Sequence, residues 1–121
     1  TLTQIEASFL AGLILGDGHV SCSRPPSRKG WRQLTIGFTN TDKALVNWID
    51  SKVPRGYLYV EDLRHKPSPI PKKKICYKWN CNCHSTLRQL VRYLRPYMIG
   101  EKQAKLEEMA EALGMEAQRA S

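Results

Sequence analysis

One carboxylate stands apart in this 121-residue chain. Asp17 closes an apolar run with helical spacing and is followed by Gly18. The C-terminal end of a helix carries partial negative charge, so an acid there is disfavoured by roughly 0.3 kcal/mol or more unless a cation sits beside it. A hard divalent ion such as Mg²⁺ or Ca²⁺ would take the Asp17 carboxylate and nearby backbone carbonyls, that of Gly16 among them. An Asp-Gly pair is also an ordinary turn, and on the carboxylate alone the turn reading wins. The second signal is steric. Ser8, Gly12 and Gly16 recur every four residues and make one stripe of small side chains, with Leu13 beside it. A glycine inside a helix costs up to about 1 kcal/mol against alanine, so two in one short helix point to close approach by another helix.

These residues need a scaffold. Residues 2–16 read as a helix, with Thr3 and Glu6 as a capping box and Ile5, Phe9, Leu10, Leu13 and Ile14 at helical spacing. Taken to Asp17, it is the helix that would carry the site. Residues 19–24 and 31–40 alternate, with His19, Ser21, Ser23, Gln33, Thr35, Gly37 and Thr39 on one face and Val20, Cys22, Leu34, Ile36 and Phe38 on the other. They form a hairpin with one wet face, joined by a basic turn over residues 24–30. Asn40 or Thr41 caps a helix over residues 42–52 with Leu45, Trp48 and Ile49 inward, and Pro54 and Gly56 break it. A strand over 57–64 sets Tyr57, Tyr59 and Glu61 opposite Leu58 and Val60. Three prolines make 65–74 a loop. A strand over 75–82 follows, in which Lys78 and Asn80 oppose Tyr77 and Trp79 but both faces hold cysteine or aromatics. Ser85 or Thr86 caps a helix to Leu94 with Leu87, Leu90 and Val91 apolar, and residues 101–113 form a last amphipathic helix that ends at Gly114. The order αββαββαα predicts a single α+β domain over residues 1–121: one four-stranded antiparallel sheet covered by helices on one side.

Residues 10–18 read LAGLILGDG. The string resembles the LAGLIDADG motif of a family of homing endonucleases, matching it at seven of nine positions. Residues 34–48 (LTIGFTNTDKALVNW) are similar to that family's second strand and following helix, and residues 94–108 (LRPYMIGEKQAKLEE) to its tail segment. The family's αββαββα core has the predicted element order. The resemblance implies a site-specific endonuclease that hydrolyses phosphodiester bonds of double-stranded DNA. Asp17 occupies the place of the family's metal ligand, with Mg²⁺ as the ion and Ca²⁺ or Mn²⁺ as substitutes for binding. One copy of the motif implies a homodimer whose helices cross through Ser8, Gly12, Leu13 and Gly16, and hence a pseudo-palindromic target. Lys102 falls where the family often carries a functional lysine. Asp42 falls where relatives have a polar residue near the metals, although an acid there also suits a helix N-terminus. Two positions depart from the pattern: Leu15 replaces the motif's first acid, and Val46 stands where some relatives have an arginine. They sustain two alternatives on the same fold, a catalytically inactive DNA-binding module and an intron RNA maturase.

Charge agrees with a polyanionic partner. Nineteen Lys and Arg against eleven Asp and Glu leave a net charge of +8. Glu101, Glu107, Glu108, Glu111 and Glu116 crowd the last stretch of the chain, so residues 19–100 are more basic still. A two-stranded ribbon fits the major groove, where His19, Ser21, Ser23, Gln33, Thr35, Thr39, Tyr57, Tyr59, Glu61, Lys78 and Asn80 would face base edges. Arg24, Arg28, Lys29, Arg32, Arg64, Lys66, Lys72, Lys73 and Lys74 would flank them and hold phosphates.

Cys76, Cys81, Cys83 and His84 are spaced unlike a zinc finger, and the cysteines read instead as small, buried apolar groups. Unpaired cysteines of this kind suit a reducing, intracellular setting, the cytoplasm of a microbe or an organelle. No apolar run reaches membrane-spanning length, and residues 10–15 are too short for a signal peptide.

Overall fold

The computed structural model describes residues 1–23, 33–62, 64 and 74–116. The elements run α1 (Gln4–Asp17), β1 (Gly18–Ser23), β2 (Gln33–Asn40), α2 (Lys43–Lys52), β3 (Tyr57–Asp62), β4 (Ile75–Cys81), α3 (His84–Leu94) and α4 (Gly100–Ala112), with a 3₁₀ turn at Arg95–Tyr97 before α4. This is the predicted order, with ends shifted by one to two residues.

The start of α1 is set by its side chains. Thr3 Oγ1 accepts from the Glu6 amide at 3.1 Å, and Glu6 Oε1 accepts from the Thr3 amide at 3.0 Å. Lys52 at the end of α2 also pairs with Glu6, at 2.7 Å, and chiefly through that bond holds its carboxyl down at about 2. The helix buries Ala7, Leu10, Ala11 and Ile14. Ile5 and Phe9, grouped with the inward residues by spacing alone, are instead 81% and 47% exposed. A helix apolar nearly all round has no single inward stripe in its sequence, so its neighbours decide which face is covered.

The strands form one antiparallel sheet in the order β1-β2-β4-β3. Both hairpins pair internally, and β2 joins β4 across the centre, with Gly37 opposite Asn80 and Phe38 opposite Trp79. Leu34, Ile36, Phe38, Trp79 and Cys81 point into the core, where α1, α2, α3 and α4 bring Ile14, Val46, Ile49, Leu87, Val91, Leu94, Leu106 and Met109. This register assigns β4, whose faces the sequence left ambiguous. Lys78 and Asn80 lie on the open side and Trp79 beneath. Trp79 packs over Gly56, where an added Cβ would run into the indole ring, and among the described residues its buried N–H has no hydrogen-bond partner.

Three expectations need correcting. Asp42, not Asn40 or Thr41, is the N-cap of α2, its Oδ1 accepting from the Ala44 amide at 3.0 Å. Cys83, not Ser85 or Thr86, occupies the N-cap of α3. Val60 faces the helix side but stays 58% exposed, because β3 is an edge strand that the helices do not reach across. In α4, Arg95 grips Glu107 with two bonds of 2.9 and 3.0 Å, tying the 3₁₀ turn to the last helix.

Candidate functional site

Asp17 is the last residue of α1 and is exposed. Asn40, at the end of β2, donates from Nδ2 to Asp17 Oδ2 at 3.1 Å. Asn40 Oδ1 accepts from the Asp42 amide at 2.8 Å, and Asp42 in turn caps α2. The motif helix, the central hairpin and the second helix therefore meet through one chain of hydrogen bonds. Sequence reasoning gave Asn40 only a capping role. Its signal is positional: Leu34, Ile36 and Phe38 put the next alternate residue on the helix-facing side, where an amide is out of pattern. The Asp42 carboxylate is engaged with the backbone of its own helix.

The negative end of α1 is compensated from α4. Lys102 Nζ donates to the Ile14 and Leu15 carbonyls at 3.0 and 2.8 Å. The lysine is half-buried, and its charge stands against the turn that carries Asp17. Leu15, in the place of an acid, packs at the edge of the core, and Val46 is fully buried within it. His19 follows two residues after Asp17 on the open face. Burial, and then the positive charge of Lys102, push its pKa down, which favours the neutral imidazole.

The open face carries His19, Ser21 and Ser23 from β1, Gln33, Thr35, Gly37 and Thr39 from β2, Cys76, Lys78 and Asn80 from β4, and Tyr57, Tyr59 and Glu61 from β3. One row crosses the whole sheet: His19, Gly37, Asn80, Tyr57. Lys78 pairs with Glu61, and that bond raises the lysine pKa. Tyr57 and Tyr59 stack with ring centroids 6.0 Å apart. Arg64 is exposed but bonds twice to Asp62, and Lys74 is exposed just ahead of β4. The basic positions Arg24, Arg28, Lys29, Arg32, Lys66, Lys72 and Lys73 lie outside the described residues.

Ser8, Gly12 and Gly16 are exposed along α1 with Leu13 half-buried beside them. Among the described residues, a Cβ added at Gly12 or Gly16 would meet nothing within 4 Å, so these two positions leave open space beside the helix. Cys76 is on the open face of the sheet and Cys81 is buried beneath it, so β4 separates two of the four residues considered for zinc. Among the described residues no three His, Cys, Asp or Glu side chains converge as a metal cluster. One chain thus offers the Asp17 carboxylate and neighbouring carbonyls, a hard-oxygen set that Mg²⁺ accepts when water fills the remaining positions. None of the described helices is long and apolar enough to cross a membrane.

An αββαββα chain with a glycine-striped first helix above a four-stranded antiparallel sheet has the fold of the LAGLIDADG homing endonucleases. Three solved structures show the likeness. The LAGLIDADG meganuclease I-AabMI, bound to uncleaved DNA, superposes with a TM-score of 0.67 at 22% identity over 89% of this chain and 35% of its own. The homing endonuclease I-CvuI, in complex with its target in the presence of calcium, gives 0.64 at 16% identity over 92% of this chain and 67% of its own. The archaeal intron-encoded homing endonuclease I-Vdi141I, complexed with DNA, gives 0.61 at 17% identity over 91% of this chain and 67% of its own. The chain therefore spans about a third of the first of these relatives and two thirds of the other two. No protein-family model and no curated protein matches it in sequence. At the level of fold, the resemblance seen in residues 10–18 is borne out.

Proposed function

We propose that this chain is one subunit of a homodimeric, site-specific double-strand DNA endonuclease that uses divalent metal ions, Mg²⁺ foremost. The observation that carries the reading is the position of Asp17. An exposed carboxylate, held by Asn40, ends a helix whose small-residue stripe is uncovered, next to a sheet face lined with polar side chains. Two copies crossing along Ser8, Gly12 and Gly16 would bring two Asp17 carboxylates together at the two-fold axis. Ile5 and Phe9, exposed on the same helix, would be covered by that crossing. The two Asp17 carboxylates would hold divalent ions that offset their mutual repulsion, and such ions would supply Lewis-acid stabilisation and an activated water for phosphodiester hydrolysis. Asn40 orients the carboxylate, and Lys102 keeps the carbonyls of the last helical turn in place. The open face, with Lys78 on it and Lys74 just ahead of β4, would hold the duplex. That I-AabMI, I-CvuI and I-Vdi141I are seen with DNA supports this use of the face.

A second reading, duplex binding without cleavage, draws on Leu15 at the position of an acid and on Lys102, which spends two N–H groups on helix carbonyls. The two readings separate on one experiment, incubation of a randomised pseudo-palindromic duplex library with protein and Mg²⁺ beside Asp17→Asn. The endonuclease reading expects cut products from the native chain only. Asp17→Asn and EDTA should each reduce cutting to background, a loss on the order of 10³-fold. Duplex binding with no product at any Mg²⁺ concentration would establish the second reading.

A further inference from the structure

We infer that Asn80, fixed by Tyr59 above the gap at Gly37, reads an adenine in each half of the target duplex. The inference rests on the DNA-binding reading above and specifies what one part of that face recognises.

Asn80 sits at the centre of the sheet, between Gly37 on β2 and Tyr57 on β3. Its Nδ2 donates to the Tyr59 hydroxyl at 3.2 Å. The hydroxyl both donates and accepts, so it holds the amide in either orientation, and in each the amide keeps an unused N–H and an acceptor lone pair on Oδ1. One N–H of Nδ2 is used, so the amide presents its remaining N–H and its carbonyl oxygen. Adenine shows the complementary pair in the major groove, N7 as acceptor and N6 as donor. Guanine offers two acceptors and cytosine a donor alone, so neither satisfies both amide groups.

Gly37 provides the room. A Cβ there would run into Asn80 Oδ1 and into His19 Cε1 of the neighbouring strand. The absence of a side chain lets the amide and the imidazole lean toward each other over the central strand. On the other flank, Tyr57 and Tyr59 stack side by side at 49% and 43% exposure, which gives the amide a stiff support and presents apolar ring surface. That surface suits the methyl group of the thymine paired with the adenine. Tyr59 is itself braced by Lys78, whose Nζ lies 6.0 Å from the ring centroid.

The test is a binding selection, kept separate from cleavage. The full chain is mixed with a randomised duplex pool in calcium buffer, bound duplexes are sequenced, and the selection is repeated with Asn80→Ala, Asn80→Asp and Tyr59→Phe. The native chain should enrich adenine at one symmetric position per half-site. Asn80→Ala should lower that preference about tenfold and leave the other positions unchanged. Asn80→Asp keeps the size and shape of the side chain but only accepts, so the preference should move to cytosine. Tyr59→Phe keeps the ring and removes the acceptor, and should weaken the adenine preference at that position alone. An enriched site that does not change in Asn80→Ala and Asn80→Asp would overturn the adenine reading and leave DNA recognition standing. A pool with no enriched sequence and no bound duplex would overturn both.

Discussion

At the scale of single residues, what each polar group does follows from its partner. Asp17 ends a helix where a carboxylate is electrostatically misplaced, and two features make the position tenable: the Asn40 amide and the Lys102 charge on the preceding carbonyls. Asp42, by contrast, is accounted for by its cap. Cys83 shows the same logic outside the proposed site. The Ser85 hydroxyl lies 3.3 Å and the Arg55 guanidinium 3.9 Å from its sulfur, and hydrogen bonding there, first that of Ser85, brings the thiol down to about 6. Its thiolate fraction therefore rises as pH rises through about 6 and is nearly complete at neutrality. Alkylation of Cys83 by iodoacetamide, followed by peptide mass spectrometry, should climb across that range and level off by neutral pH. In Ser85→Ala the midpoint should shift upward. A midpoint in the ordinary thiol range for the native chain would contradict the arrangement seen around the sulfur.

At the scale of elements, α1 presents two apolar faces of different character. One, built from Ala7, Leu10, Ala11 and Ile14, is buried by the sheet and α3. The other, with Ile5, Gly12, Gly16 and Phe9, is exposed, Phe9 resting edge-on against Trp48 with ring centroids 4.9 Å apart. The glycines have a cost within one chain and, in the proposed homodimer, a use between chains, so their substitution should have effects of opposite sign. The added methyl of Gly12→Ala or Gly16→Ala meets no atom within 4 Å among the described residues, and each should raise the thermal stability of the monomeric fold by roughly 0.5–1 kcal/mol. The same substitutions should shift the monomer–dimer equilibrium toward monomer in analytical ultracentrifugation and lower cleavage with it. If either variant gained stability while dimerising as the native chain does, the stripe would not be the contact between copies.

At the scale of the whole molecule, a chain with a net charge of +8 presents one polar sheet face away from its core. Binding through such a surface releases counterions from the duplex, so affinity should fall steeply with salt. Fluorescence anisotropy on a labelled duplex should show a loss of about 10³-fold between 50 and 200 mM salt for a dimer making six or more phosphate contacts. A nearly flat salt dependence would mean that the basic surface does not meet phosphates. The sheet edge at β3 is left partly bare, as exposed Val60 shows, so the helices cover the centre of the sheet better than its rim.

Local chemistry was legible in the sequence wherever neighbouring residues decide the outcome. The capping box at Thr3 and Glu6, the alternation in β1 and β2, and the heptad-like apolar residues of α3 each depend on spacing alone, and each appears in the structure as read. The motif at residues 10–18 likewise carried the fold. What spacing could not decide was anything requiring a second element. Ile5 and Phe9 looked inward because nothing in α1 itself distinguishes its two apolar faces; the sheet covers only one. The faces of β4 were ambiguous until pairing with β2 put Asn80 opposite Gly37. Asn40 and Lys102 reach Asp17 and its helical turn across 23 and 87–88 residues of chain, distances over which no local pattern operates. Propensity and periodicity act between near neighbours in sequence, whereas a hydrogen bond between remote side chains exists only once the packed core has brought their backbones together.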